Sequence, residues 1–371
     1  MIRLQRPLPD RYTGASPGEL SERIGAAKQA LDGRLLVLGH HYQRDDVMQW
    51  ADARGDSFGL SRTAAARRDA EFVVFCGVHF MAESADILTA PHQQVVLPDL
   101  NAGCSMADMA HIDEVEEAWE VLAGVTDVAR VLPITYMNSS ASLKAFVGRH
   151  GGAVCTSANA RAVLEWAFGP GDDGEPRADQ VLFVPDQHLG RNTAYALGFD
   201  AADMAVWDPR LELGGLSDTT MKQARILLWK GHCSVHQRFR PEHVTAFRQA
   251  HPDGIVLVHP ECAHEVAALA DAVGSTDFII KAVEEAPAGS TIGVATEIHL
   301  VHRLDHEHSD KSVVCLEPLV CPCSTMSRID PVHLAWVLEG LVDGEVRNRI
   351  TVDEGTATWA RVALERMLAI V

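Results

Sequence analysis

Three stretches of this chain follow one plan, and that internal repeat constrains the fold more than any other feature. They read HHYQRDDVMQWADARGDS from His40, YMNSSASLKAFVGRHGGAVCTS from Tyr136 and HPECAHEVAALADAVGST from His259. Each has a strand, a polar pair, a helix, and then Asp-Ser or a Ser/Thr pair opening another helix. The step from His40 to Ser57 is 17 residues and that from His259 to Thr276 is also 17. The middle step, Tyr136 to Ser157, is 21, with the four extra residues placed in RHGG. Cysteines share the register: Ser57 to Cys104 and Thr276 to Cys323 are both 47 residues. The middle copy reaches Cys233 after 76, and it contains the insertion Gly169–Asp179. A unit that cannot bury its own faces stacks on copies of itself. The repeat therefore predicts three related units, each delivering one cysteine.

Short apolar runs at Arg34–Gly39, Glu71–Cys76, Gln94–Leu97, Arg130–Thr135, Ala153–Thr156, Val181–Pro185 and Gly254–His259 read as strands. Amphipathic stretches such as Asp46–Ala53 and Ala263–Val273 lie between them and read as helices. Such alternation predicts α/β units with parallel sheets, and continuous apolar runs suit strands covered on both faces. The expected fold class is three pseudo-symmetric parallel-sheet α/β domains around a central active site. The expected boundaries are 1–126, 127–235 and 236–325, with 326–371 packing back on the first. The first 20 residues read as an ill-ordered extension. Gly169–Asp179 and the charged His302–Lys311 read as loops.

Chemistry in open parallel sheets sits at the carboxyl ends of the strands. Those ends supply His40, His41 and Tyr42; Asp99, Asn101 and Cys104; Tyr136 and Asn138; Asp186 and His188; His259 and Glu261. Three helix starts, Asp56-Ser57, Thr156-Ser157 and Ser275-Thr276, carry hydroxyls beside backbone N–H groups, an arrangement that favours a multiply anionic substrate. His40, Tyr42, Tyr136, Asn138, His259 and Glu261 would line one cavity and supply acid–base groups.

With 32 basic against 51 acidic residues the net charge is −19, which argues against nucleic acid or an anionic membrane as partner. No apolar run has a membrane helix's length of roughly 18 residues, and no secretory stretch opens the chain, so a cytoplasmic protein is expected. In that compartment the eight cysteines are not a disulfide framework, and none form C-x-x-C. Three thiolates, one per unit, could hold zinc with an open position or a [4Fe–4S] cluster with one iron not bound by protein. Spacing does not separate the two.

The ordered motifs GHHYQ with GDS, DLNAGCSMADM, TYMNSSASLKA, CTSANA, PDQHLG, KGHCSVHQRF, VHPEC with GST, TEIHLVHRL and CPCSTM resemble the quinolinate synthase family over residues 34–326. The resemblance implies condensation of iminoaspartate with dihydroxyacetone phosphate to quinolinate, phosphate and water. It implies an oxygen-sensitive [4Fe–4S] cluster on Cys104, Cys233 and Cys323, with Cys321 as the fallback for the third. Met326 follows Cys323 by three residues, as in the family. Ser57 and Ser157 would hold the triose phosphate. His40, Tyr42, Tyr136, Asn138, His259, Ser275 and Thr276 would bind the carboxylates and the condensing intermediate. Glu261 would be the acid–base residue, with Tyr42, Tyr136 and His259 as its catalytic companions; His236 and Thr296 are lesser candidates. Coupling to L-aspartate oxidase follows from the instability expected of iminoaspartate.

Three other readings compete. A zinc-dependent aldolase or hydrolase could use the same thiolates, and an iron–sulfur sensor would need no catalytic residues at all. Gly14-Ala-Ser-Pro-Gly18 matches a nucleophile pattern but lacks the preceding strand. The run His299, His302, His306, His308 reads as solvated. No G-x-G-x-x-G or G-x-x-x-x-G-K-[ST] occurs, so a dinucleotide or P-loop site is unsupported.

Overall fold

The computed structural model describes residues 5–171, 174–317, 319 and 322–370. Three sheets form, and each has the same core order. In the first, β1 (Leu35–His40) lies between the short β2 (Ala53–Gly55) and β3 (Phe72–Cys76), with β4 (Gln94–Val96) beyond β3. In the second, β5 (Val131–Tyr136) lies between β6 (Ala153–Cys155) and β7 (Gln180–Val184). Beyond β7 come β9 (Ile226–Trp229) and then the edge strand β8 (Met204–Trp207). In the third, β10 (Ile255–Val258) lies between β11 (Ala272–Val273) and β12 (Thr291–Ala295), with β13 (Ser312–Cys315) at the far edge. All pairs within this shared order are parallel. The extra strand β14 (Arg349–Ile350) adds antiparallel to β4.

The sequence explains this layering. β1, β3 and β7 are apolar at nearly every position and fully buried. Each fully buried Val, Leu or Phe contributes roughly 1.5–3 kcal/mol relative to exposure. Such strands need cover on both faces, which the crossover helices give.

By contacts the chain forms two compact units. One comprises 1–104, 297–303 and 321–353 and holds the first sheet; the other comprises 105–296, 304–320 and 354–371 and holds the second and third.

Several local expectations change. The stretch 46–53 is one helical turn, Asp45–Met48, followed by β2; 263–273 is likewise His264–Ala267 followed by β11. Both short edge strands were hidden because two or three residues carry no period. Residues 302–307 are not loop: they end the helix Ile298–Glu307, whose Leu300, Val301 and Leu304 are buried at helical spacing. His302 and His306 occupy its exposed positions.

The N-terminal stretch is ordered from a short helix at Asp10–Thr13 onward. Tyr12 is fully buried, and its hydroxyl donates to Glu339 Oε2 at 2.6 Å. Ser16 of the G-x-S-x-G match is no nucleophile: it caps the helix Pro17–Leu31, in a capping box with Glu19. The segment 326–371 divides. The helix Pro331–Val342 packs on Pro17–Leu31 in the first-sheet unit, whereas Glu354–Ala369 packs on Ala141–Arg149 beside the second sheet. Gly148 permits that approach, since a Cβ there would run into the carbonyl oxygen of Trp359. Within Gly169–Asp179, residues 172 and 173 lie outside the described residues, as does Cys321.

Candidate functional site

The threefold plan extends through the cysteines. A 3-10 turn begins three residues after each: Ala107 after Cys104, His236 after Cys233 and Met326 after Cys323. An α-helix begins eight residues after each, at Ile112, Pro241 and Pro331. Two residues before the cysteine, the carbonyl accepts an N–H from the residue opening the helix after the third strand. These bonds are His79 N–H to Ala102 O at 2.8 Å and Gln187 N–H to Gly231 O at 3.1 Å. Cys323 therefore occupies the same register as Cys104 and Cys233.

The strand ends also correspond. His40 closes β1, and its Nδ1 accepts the Tyr42 N–H at 3.1 Å. Tyr42 packs edge-on against the His40 ring at 4.8 Å. His259 follows β10, and its Nδ1 accepts the Glu261 N–H at 3.4 Å. Tyr136 closes β5 and Asn138 stands two residues on, with a buried Oδ1 that has no hydrogen-bond partner among the described residues. Buried Lys144 donates to the carbonyls of Met137 and Ser139 at 2.8 and 2.5 Å and fixes the Asn138 turn.

In the unit holding the second and third sheets, five side chains form a buried group. Tyr136 Oη donates to Glu261 Oε1 at 2.5 Å. Glu261 Oε2 lies 2.8 Å from His236 Nδ1. His236 Nε2 lies 3.2 Å from Thr296 Oγ1, and its ring stacks on His259 at 4.5 Å. Cys233 Sγ, a His236 ring nitrogen and a Glu261 oxygen lie within 4.8 Å of one another. The lesser candidates His236 and Thr296 are thus integral to this group.

Electrostatics separate its members. Burial alone would raise the Glu261 carboxyl, but the charge and hydrogen bond of His236, with His259 and the Tyr136 hydroxyl, bring it below its ordinary value. Burial and then the adjacent Glu261 charge push Asp186 well above the ordinary carboxylate range. Burial, then His236, lowers His259 to about 3, so its imidazole is neutral near pH 7. Two carboxyl groups driven apart in this way suit opposite acid–base roles. Asp186 stood among the strand-end residues in the sequence, but nothing there signalled a carboxyl driven up by burial.

In the first-sheet unit, Glu297 is the residue that sequence reasoning missed. Its Oε1 accepts the Cys323 N–H at 3.0 Å and its Oε2 the His299 N–H at 2.7 Å. It is the counterpart of Asp186, two residues past the third strand of its repeat, and that register and its place in TEIHLVHRL were its sequence signals. Arg303 donates to His41 O, Gln43 O and Asp45 Oδ1 at 3.0, 2.5 and 2.6 Å, clamping the Tyr42 turn. Gln43 Nε2 in turn donates to Met326 O at 3.1 Å, tying that turn to the loop after Cys323.

Two of the three hydroxyl pairs sit at helix starts as expected, and the third, Thr156-Ser157, stands in the turn before a helix that Asn159 opens. Asp56 caps the helix Ser57–Ala66, with Ser57 its first residue. Ser275 caps Thr276–Glu285 through the Phe278 N–H. Thr156 Oγ1 accepts the Ala158 N–H, and Ser157 lies in the turn leading into Ala160–Phe168. Cys76, Cys155 and Cys262 are fully buried, and burial raises each thiol, that of Cys76 to about 12; such thiols are inert.

A thrice-repeated α/β fold with strand-end carboxylates, histidines and one register-matched cysteine per repeat defines an enzyme class acting on small molecules. The chain belongs to the family described as Quinolinate synthetase A protein, NadA, whose family model matches residues 22–369. It is 58% identical to a quinolinate synthase of a Nocardioides species, over 98% of this chain and 92% of the relative. To that of Corynebacterium glutamicum it is 54% identical, over 99% and 91%. To that of a Geobacillus species it is 50% identical, over 98% and 96%. Among the described residues no helix is long and apolar enough to cross a membrane.

Proposed function

We propose that the chain condenses iminoaspartate with dihydroxyacetone phosphate to form quinolinate, with loss of phosphate and water, in the cytoplasm. Family membership supports the reaction. The observation that carries the site is the Tyr136–Glu261–His236 chain, an acid–base relay with one end beside Cys233. The condensation must add and remove several protons, and a carboxylate held between a phenol and an imidazole can pass them in either direction. Tyr136 Oη delivers or accepts at Glu261 Oε1, and His236 Nδ1 reloads Oε2. Tyr42, braced by His40 and the Arg303 clamp, is a second proton carrier. Neutral His259 contributes a hydrogen bond rather than charge.

In this reading Ser57, at its helix start, and Ser157, in the turn before Ala160–Phe168, hold the triose phosphate. His40, Asn138, Ser275 and Thr276 take the carboxylates; the unpartnered Oδ1 of Asn138 accepts from the imine or a hydroxyl. Cys104, Cys233 and Cys323 would hold a [4Fe–4S] cluster, and their shared register three residues before a 3-10 turn fits one equivalent ligand per repeat. When bound, such a cluster supplies an iron with an open position that acts as a Lewis acid. Iminoaspartate must come from an amino-acid oxidation, so functional coupling to L-aspartate oxidase belongs to the proposal.

The test is quinolinate formation by anaerobically purified protein given dihydroxyacetone phosphate and iminoaspartate generated in situ. Product that depends on both substrates supports the reading. No product from iron-replete protein refutes it.

A further inference from the structure

We propose that Asn192 is a positioning residue for Glu261, gripping the turn that carries this carboxylate from a helix of the preceding repeat. The inference rests on reading Glu261 as the acid–base group. Asn192 lies buried on the helix Gln187–Ala196. Its Nδ2 donates to the carbonyls of Pro260 and Cys262, both at 2.8 Å, and Glu261 is the residue between them. Its Oδ1 lies 2.9 Å from His264 Nδ1. A side-chain amide has two N–H donors, and both are engaged by carbonyls. Its oxygen must then accept, so His264 carries its proton on Nδ1. Tyr195, from the same helix as Asn192, stacks on the His264 ring at 4.1 Å and fixes its plane.

The same grip recurs in register. Asn192 stands six residues past Asp186, and Arg303 stands six past Glu297, the counterpart of Asp186. Arg303 holds His41 O, Gln43 O and the Asp45 side chain, one, three and five residues past His40. Asn192 holds Pro260 O, Cys262 O and the His264 side chain, at the same three steps past His259. The chemistry changes in step. Arginine only donates, and its side-chain partner is the acceptor Asp45; the oxygen of asparagine accepts, and its partner is the donor His264. Lys144 holds Met137 O and Ser139 O, one and three residues past Tyr136, from inside its own repeat. Each first-strand turn is thus held by a buried nitrogen donor, and at its centre stands a site residue: Tyr42, Asn138 or Glu261.

A turn held by the carbonyls on both sides of Glu261 cannot rotate its peptides, so the carboxylate leaves it in one direction. That direction brings Oε1 to Tyr136 at 2.5 Å and Oε2 to His236 at 2.8 Å. Such contacts leave little tolerance, since a displacement of about 1 Å can cost a reaction about 10²-fold. Asn192 therefore acts through Glu261 and is not itself a proton carrier.

The test compares the iron-replete full chain with Asn192→Ala and Asn192→Asp, each assayed well below its own unfolding midpoint. Both should lower kcat for quinolinate formation about 10²-fold, with little change in the KM for dihydroxyacetone phosphate. Asn192→Asp keeps the size and the acceptor for His264 but loses both donors, so activity equal to the natural chain's in that variant overturns the proposal. In a Glu261→Gln background, Asn192→Ala should cost little more, because the two residues act as one unit. A further loss of the same size there means independent effects and overturns it too. Hydrogen exchange over residues 257–264 should be faster in Asn192→Ala than in the natural chain, and unchanged exchange contradicts the grip. That measurement needs no turnover. A natural chain that makes no quinolinate refutes the reading of the reaction instead, and exchange still decides whether Asn192 holds the Glu261 turn.

Discussion

Tyr136 and Glu261 are 125 residues apart in sequence, yet the phenol of one donates to the carboxylate of the other at 2.5 Å, both side chains being buried. Each follows the first strand of its own repeat, Tyr136 at the end of β5 and Glu261 just past β10. The repeat thus creates this contact by bringing two equivalent strand ends together within one unit.

Removing either member should impair proton transfer first. Tyr136→Phe and Glu261→Gln should each lower kcat about 10²–10⁴-fold, the range for a general acid–base group. Tyr136→Phe should also cost about 1.5–3 kcal/mol of stability, as a hydrogen bond to a charged group does. Steady-state quinolinate formation and chemical unfolding measure the two effects separately.

Glu297 should act through Cys323 rather than on substrate. Glu297→Ala leaves the Cys323 N–H without its acceptor and should speed iron loss to a chelator about 10–100-fold. Substrate KM should change little. Timed iron release from the anaerobic protein is the readout.

The fold was legible where the period was strong. The parallel α/β character and the threefold plan follow from long apolar strands such as Leu35–His40 and from the shared cysteine register. Edge strands β2 and β11 were not legible, because two or three residues carry no alternation. Histidines 302 and 306 suggested a loop, although Leu300, Val301 and Leu304 carry a helical face between them. Most site residues were visible as strand-end polar groups. Glu297 was not, because its partner is a backbone N–H, and main-chain partners leave no mark in a sequence. His236 looked minor for the opposite reason: its importance lies in joining Glu261 and Thr296, which only the tertiary fold brings near.

The N-terminal stretch is anchored, so its loss should be felt. Tyr12→Phe removes the bond to Glu339, a carboxylate also held by Arg23 at 2.6 Å. The expected cost is about 1.5–3 kcal/mol. A lower unfolding midpoint with unchanged quinolinate formation at low temperature would show that the effect is structural.

One acid-sensitive contact is predicted from Asp208. Its hydrogen bond from Lys230, then that from Arg210, lowers its carboxyl to about 2. A depressed folded-state value stabilises the fold above the unfolded value near 3.8, and that gain fades as pH falls toward about 2. The difference in thermal midpoint between the natural chain and Asp208→Asn should therefore shrink from about pH 5 toward about pH 2. A difference independent of pH would contradict it.

The claim that each repeat delivers one equivalent cysteine to a single iron–sulfur centre is tested most directly by iron content. Anaerobically purified Cys104→Ala, Cys233→Ala, Cys323→Ala and Cys76→Ala proteins are compared with the natural chain. The account predicts about four irons and brown colour for the natural chain and Cys76→Ala, and loss of both in the other three. Full iron in any one of those three, or loss in Cys76→Ala without unfolding, would contradict it.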